Sequence, residues 1–178
     1  LLSSNEMFLE RTKGVGIIGP DDAINYGLSG HCLRASGVLE DVRISEPYSF
    51  YNRLDFGIPV GADGDCWDRY YVRVEEMRQS LRIIDQAMDQ MEPGPITAKV
   101  RRLIRPPKGE VYARTESPRG DLGIFLVSDG TDKPYRVKVR APSFANLQAI
   151  QHMLKDAYVA DAVIILGSLD IILGEVDR

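Results

Sequence analysis

The clearest hydrophobic pattern runs from Cys66 to Met91. Trp67, Tyr70, Tyr71, Val74, Met77, Leu81, Ile84, Met88 and Met91 recur at steps of three and four, the period of one helical face. Arg69, Arg73, Glu76, Arg78, Gln79 and Arg82 occupy the opposite face. Asp65 can cap the start, and Pro93-Gly94-Pro95 stops the helix. A methionine-rich aromatic stripe at this spacing predicts a core face.

The period changes to two after Glu110. Val111–Glu116, Leu122–Val127 and Tyr135–Arg140 read as three strands. The turn Ser128–Pro134 joins the last two, so an antiparallel sheet is expected. Pro142-Ser143 then opens a helix over Phe144, Leu147, Ile150, Gln151 and Leu154, and a shorter segment follows through Val159 to Leu166. Near the other end, Pro20-Asp21-Asp22 signals a helix start with an acidic N-cap, running to about Ser36 and closed by Gly37. Gly27 and Gly30 are its weak points. Residues 40–66 are punctuated by Pro47, Gly57, Pro59, Gly61 and Gly64. Tyr48, Phe50, Tyr51 and Phe56 make that loop aromatic, so partial burial is expected. The fold class is therefore α+β, with helices flanking a small antiparallel sheet.

A chain of 178 residues, 44% hydrophobic and 27% charged, supports a real core and excludes a disordered polymer. Two cysteines, Cys32 and Cys66, exclude a disulfide scaffold and suit a reducing compartment. A net charge of −4 disfavours nucleic acid as a partner. The opening Leu1-Leu2-Ser3-Ser4 lacks methionine and a basic leader, as a piece of a longer protein would. The apolar run Ala162–Leu166 is too short to span a bilayer. Lys99, Arg101, Arg102, Arg105 and Lys108 surround Pro106-Pro107 as a basic connector, either a solvated linker or a contact to an acidic partner or lipid surface.

Candidate chemistry is sparse. Gly14-x-Gly16-x-x-Gly19 matches a dinucleotide fingerprint only formally, because charged residues precede it and Pro20 follows. His31 and Cys32 are adjacent and cannot readily share a metal, while Cys66 and His152 stand alone. No G-x-S-x-G motif is present. Glu116-Ser117-Pro118-Arg119-Gly120 reads either as a plain hairpin connection or as a rigid loop offering a guanidinium to a polar or anionic ligand. In the second reading Gly120 allows close approach of another group. The terminal Ile171-Ile172-Leu173 must be docked rather than frayed. It would complete the core, or carry Asp170, Glu175 and Asp177 into an apolar pocket that raises their pKa values.

Several stretches carry a family resemblance: Phe8-Leu9-Glu10-Arg11 with Gly14-Val15-Gly16; Gly27-Leu28-Ser29-Gly30 with Leu33-Arg34-Ala35-Ser36-Gly37; Gly64-Asp65-Cys66 with Asp68-Arg69-Tyr70; Val72-Arg73 with Glu75-Glu76-Met77; Glu116–Gly120; and Gly167-Ser168-Leu169-Asp170 with Gly174–Arg178. In this order, over nearly the whole chain, they resemble the C-terminal part of the quinone-site subunit of the proton-pumping NADH:quinone oxidoreductases, respiratory complex I. That family is related to the large subunit of nickel–iron hydrogenases, whose ending, Asp-Pro-Cys-x-x-Cys-x-x-His or Arg, binds the metal centre. Here Asp170 and Arg178 hold the ends of the pattern, and Ile172 and Glu175 stand at the cysteine positions. Isoleucine offers no donor and one carboxylate does not replace two thiolates, so the resemblance implies a cavity without its metal.

In the family that cavity is the quinone headgroup pocket. The resemblance assigns Asp170, Ile172 and Leu173 to its wall and turns Arg119 toward it. The histidine and tyrosine that bond the quinone belong to the N-terminal half of such proteins, outside this sequence. It also implies quinone as substrate of the assembled complex, no cofactor bound by this chain, and an iron–sulfur cluster in a neighbouring subunit. The implied partners are that cluster subunit, a neighbouring peripheral-arm subunit and a membrane-arm subunit. The implied location is the cytoplasmic side of the bacterial inner membrane, with no turnover by this stretch alone. The competing readings are a hydrogenase-type subunit, against which the missing cysteines speak, and a metal-free hydrogenase-like scaffold or assembly module.

Overall fold

The structure is a computed structural model that describes residues 2–100 and 102–177. Leu1, Arg101 of the basic connector and Arg178 of the terminal pattern lie outside the described residues. Helices α1 (Glu6–Thr12), α2 (Pro20–Asn25), α3 (His31–Ala35) and α4 (Val42–Ser45) precede the long helix α5 (Cys66–Asp89). Strands β1 (Gly109–Ser117), β2 (Gly120–Ser128) and β3 (Arg136–Arg140) follow, then α6 (Pro142–Leu147), α7 (Ile150–Met153), α8 (Asp161–Ser168) and α9 (Leu173–Val176). The strands form one antiparallel sheet in the order β1-β2-β3. Thr115 pairs with Leu122, and Ile124 with Val139. The α+β class and the three strands are as expected.

The core lies on the helical side. Ile18, Ala23, Leu28, Cys32, Leu33, Cys66, Met153, Ile165 and Leu169 bury one another between α2, α3, α7, α8 and the start of α5. Both cysteines are free and buried there. Among the described residues no helix is long and apolar enough to cross a membrane.

Several elements differ from expectation. The helix expected over residues 20–36 is two helices, because Gly27 and Gly30 take positive φ and break the hydrogen-bond ladder. Gly19, not an acid, is the N-cap of α2, with Pro20 in the first turn. Likewise Ala141 precedes Pro142 at the start of α6, and the segment breaks near Gln148 before α7 begins. The aromatic loop is partly buried, as expected. Tyr51 and Phe56 pack against the Arg43 guanidinium at 5.9 and 4.8 Å from their ring centres.

Helix α5 is capped by Asp65, whose carboxylate accepts from the Asp68 amide at 2.8 Å. Its two faces overturn the simple division into core and solvent. Met77, Leu81, Ile84 and Met88 are each more than half exposed. Arg69, placed by periodicity on the polar face, is 0% exposed. Its guanidinium donates to the Gly16 and Gly64 carbonyls and the Ser168 hydroxyl, each at 2.8 Å. These acceptors satisfy a buried cation without a carboxylate. Gly16 of the glycine-rich segment therefore supplies a carbonyl acceptor for Arg69, and a Cβ there would meet Ile165 at 2.8 Å.

Candidate functional site

One cleft of about 510 Å³ opens where α3, α5, the β1–β2 hairpin and the chain after α8 converge. Its parts come from sequence-distant segments. The hairpin turn Pro118-Arg119 is closed by the Ser117–Gly120 pair, and the Ser117 hydroxyl donates to the Gly120 carbonyl at 2.8 Å. Gly120 and Gly30 touch: a Cβ on Gly30 would lie 2.5 Å from the Arg119 carbonyl oxygen, and both glycines have positive φ. The close approach expected at Gly120 is thus to the entry of α3.

Arg119 donates from Nε to the Asp170 carbonyl at 2.9 Å, and its Nη2 lies 3.4 Å from Asp170 Oδ1. Asp170 has positive φ just after α8, which turns the chain back toward the hairpin. Arg73 of α5 donates to the second Asp170 carboxylate oxygen and to the Pro118 carbonyl. Burial and the nearby Arg119 hold the Arg73 guanidinium below its ordinary value, although Glu76 opposes this.

Behind this group lies a buried ionic cluster. Arg34 donates to Glu76 Oε1 at 2.6 Å, to Glu116 Oε1 at 3.0 Å and to the Glu40 carbonyl at 2.8 Å. Burial works against its charge, but Glu76, Glu116 and Asp41 outweigh that and keep the guanidinium above its ordinary value. Burial pushes the Glu116 carboxyl up, and Asp41 adds to the effect while Arg34 opposes it. The Val42 amide closes the cluster, donating to Glu116 at 3.3 Å. Counting Arg34, Arg43, Arg73 and Arg119 against Asp41, Glu76, Glu116 and Asp170, the charges balance.

Of the residues singled out from sequence, the fold brings Arg119 and Asp170 together in the cleft lining. Ile172 and Leu173 follow Asp170 but do not line this cleft, and they are 42% and 76% exposed. The tail is docked less by apolar burial than expected. Ile171 packs on the core, while Glu175 accepts from the Ser143 hydroxyl at 2.5 Å. Asp170 sits between two guanidiniums rather than in apolar surroundings. The donor set does not fit a nickel–iron centre: Ile172 has no ligating atom, and Cys32 and Cys66 are locked in the core.

Arg34, Arg73 and Glu76 acquire roles that periodicity does not reveal. Their signal lies in the resembling stretches Leu33–Gly37 and Val72–Met77, where charged residues interrupt apolar runs. Beneath the cleft, His31 is fully buried with Nε2 3.3 Å from the Ser168 carbonyl, and its Nδ1 has no partner among the described residues. Burial first, then Arg73, holds the imidazole well below its usual pKa. Burial pushes the neighbouring Cys32 thiol up to about 12.

The model of the respiratory-chain NADH dehydrogenase 49 kDa subunit family matches residues 1–108 and 99–178, and the chain belongs to that family. It is similar to bacterial proteins named as the D subunit of NADH-quinone oxidoreductase. The one from Bacillus thuringiensis is 53% identical over 178 residues, 99% of this chain and 49% of that protein. The one from Desulforamulus reducens is 54% identical over 177 residues, 99% of this chain and 48% of that protein. The Dehalococcoides mccartyi protein is 53% identical across 100% of this chain and 48% of its own length. The chain spans about half the length of the curated relatives it matches.

Proposed function

We propose that this chain supplies part of the quinone-reduction pocket of a proton-pumping NADH:quinone oxidoreductase. The observation that carries the reading is the Arg73–Asp170–Arg119 cluster at the mouth of the cleft. Reduction of a quinone adds two electrons and two protons, and negative charge develops on its two oxygens before the protons arrive. Guanidinium donors fixed by Asp170 are suited to meet that charge without reorganising. Asp170 holds them in place and keeps the cleft from carrying a net positive charge. Ile172 and Leu173 lie outside the cleft lining and exposed beside Asp170, so they would reach the quinone only where segments beyond this chain extend the wall over them.

Electrons would reach the quinone from an iron–sulfur cluster in a neighbouring subunit, and the chain itself would hold no redox group. Its partners would be that subunit, a neighbouring peripheral-arm subunit and a membrane-arm subunit. The assembly would sit on the cytoplasmic side of the inner membrane, and the chain alone would be inactive. The exposed apolar stripe of α5 favours a second reading, a scaffold without a role in the pocket.

Asp170→Asn in the assembled enzyme separates the two. A pocket role predicts about a tenfold fall in kcat/KM for a short-chain quinone, the scale of one charge-assisted hydrogen bond, with NADH oxidation by an artificial acceptor unchanged. Equal loss of both activities would support the scaffold reading.

A further inference from the structure

We infer that Ser143 and Asn146 are positioning residues, holding the Arg119 turn and the Asp170-bearing tail in register from one face of α6. Their effect on turnover rests on the quinone reading; their effect on geometry does not.

The two side chains lie three residues apart on the same side of the helix, and both are fully buried. Buried polar groups must find partners, and these find theirs on the Ser29–Arg119 contact and on the segment that follows Asp170. Asn146 Oδ1 accepts from the Ser29 amide at 3.0 Å, and its Nδ2 donates to the Arg119 carbonyl at 3.3 Å and the Ser29 carbonyl at 3.4 Å. One amide therefore fixes both sides of the Gly30–Gly120 contact. The Ser143 hydroxyl donates to Glu175 at 2.5 Å and accepts from the Ile172 amide at 3.3 Å. The Ser143 amide reaches the same Glu175 oxygen at 3.2 Å.

The contacts close a ring. The Arg119 backbone is held by Asn146, and its guanidinium is bonded to Asp170. Two residues later Ile172 is tied to Ser143, which returns to the helix carrying Asn146. Neither Ser143 nor Asn146 lines the cleft. They act through Arg119 and Asp170.

The test uses the full-length subunit in the assembled enzyme, with amide hydrogen exchange and quinone kinetics read on the same preparations. Ser143→Ala is expected to speed exchange across residues 171–176. It should raise KM for a short-chain quinone by about three- to tenfold, with kcat and the artificial-acceptor rate held. Ser143→Thr, which keeps the hydroxyl, should restore both readouts. Asn146→Asp should speed exchange at the Arg119 and Gly120 amides, and if it fails to assemble the Ser143 pair decides alone. Unchanged exchange in the variants overturns the inference, as does a Ser143→Thr enzyme that behaves like Ser143→Ala. Faster exchange with unchanged quinone kinetics upholds the positioning role and removes the quinone reading of the cleft.

Discussion

At the scale of single residues, two buried ionisable groups dominate the expected behaviour. Arg34 is the hub of the cluster behind the cleft, bonded at once to Glu76 and Glu116. Replacing it with alanine leaves two carboxylates facing each other with no cation between them. We expect a loss of about 3–5 kcal/mol, the range for breaking a buried pair from one side, read from chemical denaturation of the full-length subunit. His31 adds a pH dependence of definite sign. Its folded pKa lies well below the ordinary 6.5, so the unfolded chain takes up a proton first as pH falls. Stability from this group is complete above pH 6.5 and declines below it by about 1.4 kcal/mol per pH unit until the folded-state pKa is reached. Arg73, Arg34 and Arg69 deepen the effect, and the Ser168 carbonyl opposes it. His31→Gln should flatten this part of the stability–pH curve, and an unaltered slope would assign the acid sensitivity elsewhere.

Among the elements, the strands are legible in the sequence and the short helices are not. Strict alternation marks 135–140 and an unbroken apolar run marks 122–127, and both lie in one regular antiparallel sheet with the strand over 111–116. The region 20–36 has helical composition, yet positive φ at Gly27 and Gly30 splits it, and at Gly30 the distant hairpin leaves no room for a side chain. Periodicity misplaces Arg69 for a related reason. Its partners Gly16, Gly64 and Ser168 offer carbonyl and hydroxyl groups, and no acid in the sequence advertises them. The resemblance locates Arg119 and Asp170, but the pairing of Arg34 with Glu116 spans 82 residues and no local pattern encodes it. Gly30→Ala tests the hairpin contact. A methyl 2.5 Å from the Arg119 oxygen, on a backbone of φ +63, must push the turn away. Assembled enzyme carrying it should lose stability by about 2 kcal/mol or more, combining strain and a displaced contact. Intact thermal stability would show that the hairpin yields freely.

For the molecule as a whole, the balance of covered and uncovered surface matters most. The core is concentrated among α2, α3, α7 and α8, while Met77, Leu81, Ile84 and Met88 of α5 face outward. Such a stripe is ordinarily covered by another polypeptide segment. The isolated 178-residue chain should therefore self-associate, and Leu81→Lys with Met88→Lys should reduce that association in sedimentation velocity. A wild-type chain that stays monomeric at high concentration would contradict the expectation.

Helix α5 also has a mechanical consequence. Its 24 residues form a rod of about 36 Å. The near end is clamped by Asp65 at its cap and by Arg69, Arg73 and Glu76, which reach the core and the cleft. The far end presents Leu81, Ile84 and Met88 to whatever lies beside it. The outer half is tied as well: Gln79 accepts from the Gly57 amide at 2.9 Å and Gln86 from the Asp55 amide at 2.8 Å, so the loop before the helix splints the rod along its length and leaves the apolar stripe on a stiff support.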